Sequence, residues 1–497
     1  MTFDVAQFVA LTPLLILTVM GCLVLIAETF ARGSARQGLM ALSLAGCVAA
    51  LGAIVMQGDE AATARTILQD MWVVDRMSLF LDGVFVVTAA ITLLLSSAYM
   101  REHEFELGEF YALVLFATAG MMMVVHSAHL LMLLIGIETM SLAAYVLTGC
   151  WRRSARSSEG AMKYFLMGAF ATGFLVYGMA LLYGTTGGQM TYAGLAAKVG
   201  EASKNPLFLI GFYFVVIAMF FKVAAVPFHM WTPDAYEGAP TPTTGFMAAG
   251  VKAAAFGGLL RLMSSVFGGT SFAVDGAGWV RIVSIVAVVT MTFGNLAALR
   301  QENVKRMLAY SSIAHAGYLL VGVAAMGMGV GGAEAAILFY LAAYVFTTLG
   351  TFGVVAWVGR RGDERLYIED WGGLGAARPA LALAMTLFLL SLGGVPPTGG
   401  FFGKFYLFRT AMESSPLTWL VVAGVLNSVL SIYYYLRVVV AMYFRDPIRP
   451  YDPFASATMK VALSVTAFAV VGLGVFPGPV VEWASGAVKA AAKVAGL

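Results

Sequence analysis

The sequence predicts an all-α polytopic membrane protein of about fourteen transmembrane helices, built as two inverted five-helix repeats with broken seventh and twelfth spans. Three observations carry that prediction. Of 497 residues, 60% are hydrophobic and only 11% are charged, against about 25% charged in a soluble protein. The apolar residues come in repeated runs of about 20, the length a helix needs to cross a bilayer. Two of those runs are interrupted by proline or glycine with a lysine alongside. The runs are continuous rather than alternating, which excludes a β-barrel.

In chain order the spans fall near 9–30, 37–57 and 77–99, then 109–125, 128–149, 160–183, 206–227 and 240–263. They continue near 279–299, 305–326, 333–357, 379–409, 417–443 and 457–477. The first run has no basic stretch before it and no cleavage site after it, so it reads as a span rather than a signal peptide. The loops alternate in charge. Arg32 and Arg36, Arg101, the group Arg152, Arg153 and Arg156, then Arg300, Lys305 and Arg306, Arg360, Arg361 and Arg365, and Arg445 and Arg449 share one side. Arg65, Arg76, Lys198, Lys204, Lys489 and Lys493 take the other. The richer side should face the cytoplasm, which puts both termini on the periplasmic side.

The seventh span runs into Pro227, and "LFLLSLGGVPPTGGFFGKFYLF" (387–408) holds Pro396, Pro397, Gly399 and Gly400. As a single helix, 379–409 would be roughly 46 Å long, well beyond the bilayer core of about 30 Å, so it must break. The two breaks lie five spans apart. Five is odd, so the second unit would be inverted, and matched breaks of that kind point to a transport path near the midplane. The alternative is a pair of ordinary proline kinks. The predicted organisation is an N-terminal three-span segment (1–108), a first repeat (109–265), a second repeat (266–446) and a final span with its tail (447–497).

Charge inside the spans is the chemical signal. Glu138 and Lys252 fall near span centres, Lys222 and Lys404 beside the breaks, and Lys163 about one turn in from Glu159. One charge at a span centre costs about 2.5–3.5 kcal/mol, so a set of five points to use rather than accident. Burial favours an uncharged amine and a nearby carboxylate favours the ammonium, so a moving Glu138 charge would load and unload a lysine with a proton. The competing reading is a static ion pair, or a lysine bonded to backbone carbonyls at a break. His315, in "AYSSIAHAGYLL", could relay protons or be a bonded core histidine. His229 suits a helix-end structural role, and Asp234 and Glu237 a bracing one.

Other features exclude functions. A net charge of +3 spread over loops gives no nucleic-acid surface. Cys22, Cys47 and Cys150 are isolated, so no disulfide framework, zinc site or iron–sulfur cluster has a ligand set. "GMGVGG" (327–332) matches GxGxxG but follows no strand. His126 and His129 are too few for a metal, and Glu28, Asp82, Glu109 and Glu334 sit near span ends, where charge is cheap.

The stretch "FFKVAAVPFHMWTPDAYEGAPTPTTGFMAAGVKAAAFGGLLRL" closely resembles the antiporter-like proton-translocating subunits of complex I, the proton-pumping NADH:quinone oxidoreductase. The resemblance spans essentially the whole chain. It implies a fifth-span Glu at Glu138, and lysines of the sixth, seventh, eighth and twelfth spans at Lys163, Lys222, Lys252 and Lys404. The twelfth-span lysine and "PPTGGFFGKFYLF" resemble subunit N, the counterpart of mitochondrial subunit 2, rather than its sisters. A chain ending soon after its fourteenth span, with no lateral amphipathic helix, agrees with that choice. The resemblance implies a bacterial inner membrane and other membrane-arm subunits and lipids as partners. It implies no cofactor in this chain, with NADH, FMN, iron–sulfur clusters and quinone used elsewhere in the complex. The alternative function is a subunit of a multisubunit Na⁺/H⁺ antiporter, and a purely structural place in the arm is the third.

Overall fold

In the computed structural model, residues 5–31, 36–58, 64–361, 364–451 and 456–492 are described. Arg32 and Lys493, counted above among the loop charges, lie outside them. The helices in order are α1 (Val5–Phe30), α2 (Arg36–Met56), α3 (Arg76–Glu102), α4 (Glu109–Val125), α5 (Leu130–Thr148), α6 (Ala155–Thr185) and α7 (Tyr192–Ala202). Next come α8 (Pro206–Val223), α9 (Trp231–Gly238), α10 (Thr241–Phe246), α11 (Lys252–Ser265), α12 (Trp279–Leu299), α13 (Val304–Gly327) and α14 (Ala333–Val358). The series ends with α15 (Leu374–Ala377), α16 (Pro379–Gly393), α17 (Gly399–Met412), α18 (Thr418–Phe444), α19 (Ala457–Val475) and α20 (Gly478–Ala492). Strands β1 (Arg65–Ile67) and β2 (Trp72–Val74) pair antiparallel between α2 and α3, with Thr66 opposite Val73.

The protein is a mostly helical polytopic membrane protein. Twelve segments among the described residues are long and apolar enough to cross a membrane. Helix α10, the wide π turn Met247–Val251 and α11 together make one of them. Helices α4 and α16 are apolar but shorter, at 17 and 15 residues.

The layering is inside-out relative to a soluble protein. Segment Thr241–Ser265 is wholly buried and α13 and α14 nearly so, whereas α1, α2 and α6 expose most of their surface. Thr241–Ser265 and α13 are also the least apolar of the twelve, since a core can hold polar groups that lipid excludes. Small residues let the core close. A Cβ on Gly317 of α13 would sit 2.6 Å from the Met291 backbone nitrogen of α12, so these helices touch backbone to backbone.

Both broken spans end in the same way. Ala224 takes a left-handed conformation (φ 61°) after α8, and Gly394 does so (φ 80°) after α16. The Ala225 amide then donates to Phe220 O (2.9 Å), and the Val395 amide to Leu390 O (3.0 Å). That is a Schellman closure in each case, which terminates a helix without stranding every carbonyl. Val226–Pro227 and Pro396–Pro397 are cis in the two breaks.

Several elements lie beyond the sequence reading. The β1–β2 hairpin and α7 fill connections between spans, and α20 follows the last span and packs back onto α3 and α14. Three- and eleven-residue elements carry too little periodicity to stand out beside twenty-residue apolar runs.

Candidate functional site

The site is assembled along the core from α5 to α17. On α5, Glu138 and Ser141 lie three apart and so share a face. Lys222, in the last turn of α8, reaches that face and donates to Ser141 Oγ (2.8 Å). Glu138 is half-buried and accepts from Thr172 Oγ1 of α6 (2.6 Å), within electrostatic reach of the lysine. The break matters to the neighbours as well. Its Val226 amide donates to Thr290 Oγ1 (3.0 Å) of α12, and Trp231 Nε1 donates to Phe221 O (3.2 Å) at the end of α8.

Lys252 opens α11 directly after the π turn and is buried. It donates to Ser312 O (2.7 Å) and Ser312 Oγ (2.5 Å) on α13. One turn on, His315 is wedged between two tyrosines. Its Nδ1 lies 2.6 Å from Tyr340 Oη, and its Nε2 lies 3.2 Å from Tyr435 Oη. Tyr435 Oη in turn meets Ser311 Oγ at 2.5 Å. A cavity of about 10 Å³, the size of one water, is bounded by His315, Tyr340, Thr347, Ser391 and Leu392.

Beyond it lies Lys404 on α17. Its Nζ donates to Leu392 O (2.9 Å), Gly393 O (3.2 Å) and Ser428 Oγ (2.9 Å), and sits 4.9 Å from the Tyr318 ring centre. The first two acceptors are the carbonyls that the break leaves free at the C-terminus of α16, the negative end of its dipole. A Cβ on Gly394 would stand 3.0 Å from Lys404 Cδ, so the break is shaped around this side chain.

The structure therefore gathers Glu138, Lys222, Lys252, His315 and Lys404 along the core. Lys163 stands apart. Its side chain is 44% exposed and is bound by Glu159 (2.6 Å) and Asp234 (2.7 Å). Asp234 and Glu237 on α9 also hold Arg306 of α13, each at 2.8 Å, and Asn303 donates to Glu237 (3.0 Å). Burial alone would raise the Asp234 carboxyl. The Lys163 and Arg306 hydrogen bonds outweigh it and hold that carboxyl below the usual carboxylate range. His229 lies between the segments against the Phe293 ring (4.6 Å), and burial pushes its ring below the usual histidine range.

Sequence reading missed the burial of Arg261, Lys305 and Asp82. Arg261 of α11 is buried and clamps Asp75 with two 2.8 Å bonds while its Nε donates to Val125 O (2.5 Å). Lys305, counted as a loop charge, is fully buried and donates to Ala239 O (2.7 Å). Asp82, read as a span-end charge, is buried and bonded to His126 (2.8 Å). Position in a span was the signal available, and it does not tell which face of a helix meets the core.

Comparison with known proteins decides the family. The family described as NADH:quinone oxidoreductase/Mrp antiporter, transmembrane, matches residues 127–431. "NADH-quinone oxidoreductase subunit N 1" of Sorangium cellulosum is 48% identical over 95% of this chain and 96% of its own. The chain belongs to the NADH-quinone oxidoreductase subunit N family. A chain of respiratory complex I from Thermus thermophilus, with bound aureothin, superposes with TM-score 0.79 at 32% identity, covering 95% of this chain and 98% of that one. The Mrp complex from a Dietzia species superposes with TM-score 0.83 at 19% identity over 99% and 98% of the two chains, a likeness of fold alone. The subunit N assignment thus rests on sequence identity over most of the chain, and the overall fold is shared more widely.

Proposed function

We propose that the chain is a proton-translocating membrane-arm subunit of a bacterial NADH:quinone oxidoreductase, working beside other membrane-arm subunits, with the electron-transfer cofactors carried by other subunits of the complex. In this reading α4 and the α16–α17 pair are also spans, giving fourteen. The units 109–265 and 266–446 are inverted repeats, and both termini are periplasmic. The matching left-handed closures at Ala224 and Gly394 support the repeat.

One observation carries the proton role. Lys222, Lys252 and Lys404 are buried, and each is bonded only to uncharged oxygens, with no carboxylate pairing any of them among the described residues. A buried ammonium paired to a carboxylate is locked, whereas one held by hydroxyl and carbonyl dipoles can surrender its proton and leave a neutral, still bonded amine. Among the described residues Glu138 supplies the carboxylate beside the first lysine, so its charge biases Lys222. From Lys252, Ser312 and the Ser311–Tyr435–His315 chain lead toward the small cavity and Lys404. Protons would move along that line as distant NADH–quinone electron transfer shifts the charge at Glu138.

Lys222→Met tests the reading. In assembled complex in membrane vesicles it should cut NADH-driven proton pumping on the order of tenfold or more. Full pumping in that variant would reduce the chain to a structural part of the arm. The cation-exchange alternative draws on the Mrp fold. Membranes without the chain that keep NADH-driven pumping but lose sodium tolerance would establish it.

A further inference from the structure

A second buried titratable pair lies far from this line, beneath the hairpin. His126 follows α4, and its ring stacks on Trp72 of β2 with centroids 4.2 Å apart and planes at 15°. Its Nδ1 is 2.6 Å from Val73 O, and its Nε2 is 2.8 Å from Asp82 Oδ2 on α3. His126 and Asp82 are 1% and 2% exposed.

Hydrogen-bond chemistry fixes the proton count. A carbonyl oxygen only accepts, so Nδ1 must carry a hydrogen to bond Val73. With Nδ1 protonated, Nε2 and a carboxylate oxygen can lie 2.8 Å apart only with a proton between them. Imidazolium facing carboxylate and neutral imidazole facing carboxylic acid are two descriptions of the same one-proton pair. The backbone that follows α4 also holds the hairpin. The Val73 amide donates to His126 O (2.8 Å) and the Ala128 amide to Met71 O (3.0 Å).

We propose that Asp82 and His126 hold one shared proton under the β1–β2 hairpin, and that losing this proton loosens the hairpin. Removal of the proton would set the Nε2 lone pair against the Asp82 carboxylate. The ring relieves that clash by moving its remaining hydrogen from Nδ1 to Nε2, which surrenders the bond to Val73 O. Hairpin docking and proton occupancy are therefore linked, and each changes the other by the same factor. The proton leaves to water on the hairpin side. Assigning that exit to pumping rests on the reading above, whereas the shared proton and the linkage do not.

Other ionisable groups lie on the packed elements. Asp75 and Arg261 neutralise each other, and Glu334 of α14 lies toward the same arginine. Tyr192 bonds Ser127 (3.0 Å), and His129 accepts from the Leu131 amide (3.1 Å). Arg65 lies on β1 and Asp70 in the turn, where Asp70 accepts from Thr66, and Arg76 opens α3.

The experiment is hydrogen exchange of residues 65–74 in the assembled complex across a pH series, expressed as protection relative to the free peptide. In the unaltered protein, protection should fall at least tenfold as pH rises. In Asp82→Asn the side-chain amide can donate to Nε2 of a neutral ring or accept from it through Oδ1 when the ring is charged, so Nδ1 keeps its hydrogen and protection should stay high and flat. A pH-independent hairpin in the unaltered protein overturns the proposal even if the variant fails to assemble. The same fall in Asp82→Asn as in the parent also overturns it. Neither result depends on proton pumping, so failure here leaves the function above standing.

Discussion

At the scale of single residues, the partners of each buried lysine decide what it can do. Lys404 is bound by two carbonyls at the end of α16, so its place depends on how that helix stops. Ala224 adopts the same left-handed turn as Gly394 while carrying a methyl, so the turn alone does not demand glycine. At Gly394 the Lys404 stem does, because an added Cβ would lie 3.0 Å from Cδ. Gly394→Ala should cost about 1–3 kcal/mol of stability by crowding the Lys404 stem and displace the ammonium, lowering both thermal stability and pumping in the assembled complex, while Ala224→Gly leaves both near normal. Tyr435 joins Ser311 to His315 by its hydroxyl alone. Tyr435→Phe should keep assembly and NADH oxidation by the hydrophilic part of the complex, yet slow proton transfer on the order of tenfold. Equal pumping by the variant and the parent would remove Tyr435 and His315 from the path.

At the scale of elements, the segment after the first break is held by charge as well as by buried aromatic packing of Trp231 against Tyr164. Helix α9 sits between Lys163 of α6 and Arg306 of α13 through Asp234 and Glu237. These groups are partly exposed, so each pair is worth little alone, but together they fix where the chain re-enters after Ala224. The sign of the pH effect follows from Asp234. Its folded carboxyl is held below the usual range, so its contribution is present above the unfolded value of about 3.9 and is lost as pH falls through the lower folded value. Hydrogen exchange of 231–238 should therefore be flat at neutral pH and rise below about pH 4, and Asp234→Asn should abolish that rise. Lys163 belongs to this brace by geometry. Lys163→Ala should depress pumping less than Lys222→Met, and an equal loss in both would return Lys163 to the proton path.

At the scale of the whole molecule, the buried Asp75–Arg261 clamp joins the start of α3 to α11, the most enclosed span. Arg261 also caps the end of α4 through Val125 O. Arg261→Leu would strand a buried carboxylate at a cost of about 3–5 kcal/mol, enough to deplete assembled complex. Adding Asp75→Asn should restore much of the loss, as read by the amount of assembled complex in membranes. No recovery would mean that the Val125 contact, rather than the charge pair, is what the arginine supplies.

The amino-acid sequence by itself determined that the chain crosses the membrane many times, where two spans must break, and which charges fall within the apolar runs. Hydropathy and proline placement suffice for that, because lipid penalises every exposed charge and every unpaired backbone group wherever it falls. Tertiary structure alone decided which of those charges share a site. Lys222, Lys252 and Lys404 face hydroxyls and carbonyls across helix contacts 81, 60 and 12 residues away in sequence, while Lys163 turns outward to Asp234. The buried Arg261, Lys305 and Asp82 were equally invisible, since one-dimensional depth says how far a residue lies along a span and not whether it points to lipid or to the core.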